Sequence, residues 1–114
     1  MKYMLLIYGT PQAEGTQMSE EEMGKWWAFN SETQARGVFI SGEALYPVQT
    51  ATTVRRNDGK IVTTDGPFAE TKEVLGGYYI LNCKDLDEAI ELAGKITAID
   101  NSSIEIRPIT EYNG

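Results

Sequence analysis

Histidine is absent from the 114 residues, and cysteine occurs once, at Cys83. These absences remove the usual general base at neutral pH, any intrachain disulfide, and any thiolate or imidazole metal cluster. Cys83 closes an apolar strand pattern, and with no histidine to activate it the thiol reads as buried and inert. Basic residues are also few. Ten Lys and Arg against 17 Asp and Glu give a formal net charge of −7, and the cations are scattered rather than gathered into a stripe. This argues against direct nucleic-acid binding and against an anionic membrane surface. No long hydrophobic run is present: Met4 to Tyr8 is too short for a signal h-region or a membrane span and is stopped by Gly9-Thr10-Pro11, so no membrane association and a cytoplasmic location are expected. No cofactor fingerprint is present, and no cofactor is expected. The only available metal ligands are carboxylates such as Glu43, Asp65, Glu70 and Glu73, which lack calcium-loop spacing and read as solvated charges.

What remains is an ordinary globular composition, 41% hydrophobic and 24% charged. Residues 1–114 read as a single domain, small enough that burial between copies would help it. Lys2 to Tyr8 is almost continuously apolar, as in a central strand covered on both faces. Gly9 to Met18 has no periodicity and reads as a connection without a catalytic role. Ser19-Glu20-Glu21-Glu22 forms a capping box that opens a helix through Trp26 and Trp27 to Arg36, with Gly37 at the left-handed C′ position. Trp26 and Trp27 lie about 100° apart around the helix, so one can enter the core while the other faces a partner subunit or a cavity wall; both are read as packing residues. Val38 to Leu45 is a second strand in which Gly42 marks a bulge or a close backbone approach.

Thr50 to Arg56 and Lys60 to Thr64 flank Asn57-Asp58-Gly59, a hairpin signal, and their Thr, Arg and Val content suggests a peripheral arm. Val74 to Cys83 is the longest apolar strand, with Gly76-Gly77 weakening its middle unless another backbone, a bulge or a ligand comes close. Asp85-Leu86-Asp87-Glu88 caps a second helix with apolar positions Leu86, Ala89, Ile90, Ala93 and Ile96. Ser103 to Arg107 alternates, with Ile104 and Ile106 inward. The order is strand, helix, strand, inserted hairpin, strand, helix, strand, a split βαβ ferredoxin-like α+β plan.

The most informative stretch is Asp65-Gly66-Pro67-Phe68-Ala69-Glu70-Thr71-Lys72-Glu73. Pro67 fixes its own φ and pushes Gly66 toward extended or glycine-only geometry, holding Asp65 at the mouth of a turn. Asp65 reads either as a functional carboxylate or as the maker of an Asx-type turn. Thr64, Phe68, Tyr8 and Glu43 are candidate neighbours in a small polar-apolar pocket, with Asp65 as catalytic base for proton transfer on a small polar substrate.

This run resembles the signature of the DGPF branch of the YCII-related family. The resemblance extends through Met1 to Tyr8, Gly42-Glu43-Ala44-Leu45, Thr52-Thr53-Val54-Arg55, Asp85 to Ala89 and Ile104 to Pro108. It implies a ferredoxin-like subunit that pairs into a homodimeric α/β barrel. YCII-type relatives carry a His and an Asp proposed to act as a pair; Asp65 matches the carboxylate, and the imidazole has no counterpart here. The resemblance leaves two functions open. One is a small-molecule binder or enzyme centred on Asp65. The other is a non-enzymatic interaction domain acting with a sigma factor, as DGPF-type domains are often linked to sigma factors of the extracytoplasmic-function class.

Overall fold

The computed structural model describes residues 1–13 and 15–112. Six strands and two helices follow the order β1 (Lys2–Gly9), α1 (Glu20–Ala35), β2 (Phe39–Ala44), β3 (Thr52–Asn57), β4 (Lys60–Asp65), β5 (Val74–Asn82), α2 (Leu86–Asp100) and β6 (Ser103–Pro108), with a short 3-10 turn at Val48–Thr50. Four strands form an antiparallel sheet in the order β2-β5-β1-β6, while β3 and β4 pair only with each other. This is the expected ferredoxin-like α+β plan with an inserted hairpin. The hairpin begins later than the sequence suggests, because Thr50 belongs to the 3-10 turn, where its hydroxyl donates to the Pro47 carbonyl.

Local chemistry sets the helix ends. The Ser19 hydroxyl accepts from the Glu22 amide at 3.1 Å, but the Glu22 carboxylate does not complete the box; it accepts instead from the Trp26 indole at 3.2 Å. At the other end Gly37 adopts φ +73°, and its amide and that of Val38 donate to Gln34 and Thr33, which satisfies two orphan carbonyls of α1 in a Schellman motif. Asp85 caps α2 by accepting from the Glu88 amide at 2.9 Å, while Glu88 accepts from the Lys84 amide at 2.8 Å.

One sheet face carries the core. Tyr3, Leu5 and Ile7 of β1 and Tyr79 and Leu81 of β5 pack against Phe29 of α1 and Ala89, Leu92, Ala93 and Ile96 of α2. Two of the expected α2 core positions lie outside it, since Leu86 is 49% and Ile90 52% exposed while Leu92 is fully buried. Of the two tryptophans read as packing residues only Trp26 packs within the chain, stacking at 6.3 Å on Tyr79, while Trp27 is exposed. The other face of the sheet carries Met4, Leu6, Tyr8, Tyr78 and Ile80, which alternate with the core residues and are half-buried. β1 is therefore central by pairing, but within one chain it is covered on one face only.

The glycines explain how β2, β5 and β1 fit. The register shifts between Ile7 and Tyr8, so that Gly76 is the extra residue of a bulge on β5. A Cβ on Gly42 would lie 2.6 Å from Tyr79 Cδ1 and one on Gly77 2.8 Å from the Glu43 carbonyl oxygen, so both positions require the close approach that only glycine permits. Tyr79 is thereby wedged among Gly42, Trp26, Phe29 and Phe39, and its hydroxyl donates to Asn30 Oδ1 at 2.6 Å. Burial pushes this phenol up to about 12 from 10.0. A pKa raised in the folded state gives stability that is intact below the unfolded value and is lost as pH rises through the folded one. We therefore expect a loss of melting temperature between pH 10 and about 12 that is smaller in Tyr79→Phe; parallel alkaline profiles would contradict it.

Candidate functional site

The hairpin delivers Asp65 to its loop. Asp58 and Gly59 both have positive φ, as a two-residue type I′ turn requires, and the ladder from Asn57–Lys60 ends at Thr52–Asp65. Beyond it Gly66 takes φ +97°, the glycine-only one of the two geometries expected before Pro67. Three bonds hold the loop: the Gly66 amide donates to the Ala51 carbonyl at 2.7 Å, the Thr53 hydroxyl to the Gly66 carbonyl at 2.7 Å, and the Arg55 guanidinium to the Phe68 carbonyl at 2.9 Å. None of them uses the Asp65 carboxylate. The turn is built without its side chain, so an Asx turn does not explain this residue.

Asp65 lines an open cleft of about 460 Å³ together with Pro11, Val48, Gln49, Gly66, Pro67, Glu70, Thr71 and Val74. The backbone of the 3-10 turn, the start of β5 and the connection after β1 form its walls. The surface they expose is mostly apolar, and the charged groups are the two carboxylates of Asp65 and Glu70. Such a lining favours neutral or cationic guests over anions.

Of the candidate neighbours, the structure brings none into this lining. Thr64 and Phe68 are adjacent in sequence but exposed, and Phe68, at 78% exposure, excludes no water from Asp65 within one chain. Tyr8 pairs with Leu75 and Ser103 at one end of β1, and Glu43 pairs with Tyr78 on the sheet face away from the helices. The residues missed are Pro11, Val48 and Gln49. Val48 and Gln49 are placed by Pro47, which opens the 3-10 turn, and the Gln49 amide donates to the Gln12 carbonyl at 3.2 Å, tying the turn to the connection after β1. The connection given no role in the sequence thus supplies one wall through Pro11.

A second, charged depression of about 280 Å³ is lined by Arg36, Lys84, Asp85, Asp87, Glu88 and Glu91. Its four carboxylates outnumber its two cations, and Arg36 pairs with two of them. Arg36 binds both oxygens of Glu91 at 3.0 and 3.1 Å, Glu88 at 2.9 Å and Glu32 at 3.1 Å, and Lys95 reaches Glu32 at 2.7 Å. This network joins the end of α1 to α2. Lys95 and then Arg36 hold the Glu32 carboxyl below 4.5; the Lys84 amide and then Arg36 do so for Glu88, and Arg36 for Glu91. Carboxyls lowered in the folded state contribute stability that is intact above the unfolded value and lost as pH falls through the folded ones. The groups are solvent-screened, so the effect is modest. We expect the acid-side fall in melting temperature below about pH 4.5 to be steeper in the wild type than in Arg36→Gln; equal slopes would contradict the network's contribution. Cys83 is buried and its thiol is pushed up by desolvation and then by Glu88, as an inert thiol should be. Among the described residues no cluster of three or more Cys, Asp or Glu could hold a metal, and no helix is long and apolar enough to cross a membrane.

The profile of the YCII-related domain matches residues 1–113. The chain belongs to the YCII-related domain family. A relative within this similarity is an uncharacterized protein of Rhizobium meliloti (strain 1021), 43% identical over 70 residues, which cover 60% of this chain. The matched part spans 56% of that relative's length. Within the YCII-related domain seen here, the Asp65 loop joins a hydrogen-bonded backbone to a carboxylate that takes no part in the bonds holding it.

Proposed function

We propose that the Asp65 cleft is a binding site for a small neutral or cationic polar molecule, and that this chain works as a homodimer in which Asp65 orients the ligand or accepts a proton from it. The observation that carries this reading is the division of labour in the loop: Gly66, Thr53 and Arg55 fix the backbone, and the carboxylate they present makes no hydrogen bond or ion pair among the described residues. A carboxylate held by a rigid loop beside apolar walls suits either role. The dimer is supported by the half-buried row of Met4, Leu6, Tyr8, Tyr78 and Ile80, which a second sheet would cover. Sedimentation at micromolar concentration should give a dimer, and a monomer would remove that part.

Screening a panel of small amines, amides and polyols against a matched panel of carboxylates and phosphates, by ligand-detected NMR, tests the site. Hits should come from the first panel and should be weakened about tenfold or more in Asp65→Asn, which keeps the shape and removes the charge. Hits that bind Asp65→Asn equally, or come from the anionic panel, would refute the role given to Asp65.

A further inference from the structure

The β3–β4 hairpin poses a problem that one chain does not solve. A two-stranded hairpin alone is marginal in water, yet this one makes no ladder to the main sheet. Its projection enlarges the molecule: the radius of gyration is 16.2 Å, against about 13 Å for a compact chain of this length. Cross-strand register sorts its side chains into two faces. Thr53, Arg55, Asn57, Lys60, Val62 and Thr64 share one, and there Thr53 and Arg55 hold the Gly66 and Phe68 carbonyls, so the loop folds back over that side. Thr52, Val54, Arg56, Ile61, Thr63 and Asp65 share the other. On this second face Val54 and Ile61 lie diagonally across the ladder and are 62% and 64% exposed. Asp65 stands at its base.

We infer that this arm clasps a second copy of the chain, its Val54–Ile61 face packing on the body of that copy and so covering Asp65 as well. The inference rests on the homodimer proposed above and adds what the arm does in it. Charge selects the occupant. The arm from Thr52 to Asp65 carries Arg55, Arg56 and Lys60 against Asp58 and Asp65, a net +1, while the rest of the chain holds 7 basic and 15 acidic residues, a net −8; of the three cations Arg56 shares the Val54–Ile61 face, and Arg55 and Lys60 lie on the other. A basic arm on an otherwise strongly acidic body is complementary to another copy of that body, for instance to the exposed Glu20 and Glu21 that open α1. The clasp also supplies cover for the cleft, since Asp65 and Phe68 are both exposed within one chain.

Ile61→Cys can be labelled with a benzophenone maleimide because Cys83, 1% exposed, is protected. Labelled chains mixed with nitrogen-15 chains and irradiated should give cross-linked peptides that join light to heavy chains, attached in the body of the second copy. In parallel, Val54→Ser/Ile61→Ser, which alters only exposed positions, should remain folded and raise the dimer dissociation constant about tenfold to a hundredfold. A dimer whose cross-links stay within one chain, or whose double variant associates as tightly as the parent, overturns the clasp and leaves the dimer standing. A monomeric parent overturns both.

Discussion

Leu92→Ala should lower the melting temperature by about 10 to 20 °C, the largest effect expected of any single truncation in α2. Leu92 is fully buried against the sheet with Leu5, Leu81 and Ile96, so truncation leaves a cavity as well as removing apolar contact, costing about 3 to 5 kcal/mol. Ile90→Ala, at a residue 52% exposed, should cost less than about 1 kcal/mol in the same measurement. The pair distinguishes the observed helix orientation from the one suggested by the spacing Leu86, Ile90, Ala93. Similar losses at both positions would mean that α2 is rotated about its axis.

Gly77→Ala should be the most damaging small substitution in the sheet. The new methyl would meet the Glu43 carbonyl oxygen at 2.8 Å and Ala44 Cα at 3.4 Å, both backbone atoms, so β2 must move off β5. Overpacking of this kind costs about 1 to 3 kcal/mol. Gly76→Ala is the control beside it: the nearest atom, the Ile7 carbonyl oxygen, is at 3.8 Å, an ordinary contact at the bulge, and the denaturation midpoint should scarcely change. Because β2 leads through Pro47 into the turn carrying Val48 and Gln49, Gly77→Ala should also perturb the cleft. Equal midpoints for the two variants would contradict the account of why the glycines are adjacent.

Elements governed by short-range rules were legible in the sequence. The Ser19 and Asp85 caps, the Gly37 terminus and the Asp58-Gly59 turn depend on a few consecutive residues, and each is found; for Gly66 the sequence left extended and glycine-only geometry open, and the second is found. The ferredoxin-like order was legible for the same reason, since alternation and helical spacing label each segment. Less legible was anything that depends on which partner a residue meets in space. Glu22 had two donors within reach, its own cap amide and the Trp26 indole, and packing of Trp26 on Tyr79 decided for the indole. Of the α2 stripe Ala89, Ala93 and Ile96 are buried in the core, whereas Leu86 and Ile90, which fit helical spacing as well as Leu92 does, are exposed; only the position of the sheet separates them. At the site, the loop's shape could be read from Gly66-Pro67, but its neighbours could not. Tyr8 and Glu43 lie at strand ends that seemed to converge, whereas the lining comes from Pro11, Val48 and Gln49, brought in by a 3-10 turn with no periodicity to announce it.

Chemical-shift mapping on nitrogen-15-labelled protein tests the central claim most directly, using the tightest hit from the neutral and cationic panel. The account predicts that its amide perturbations gather at Gln49, Asp65, Gly66, Glu70, Thr71 and Val74, and that they vanish at the same concentration in an Asp65→Asn variant with an otherwise unchanged spectrum. Perturbations centred elsewhere, or the same set persisting in Asp65→Asn, would contradict it.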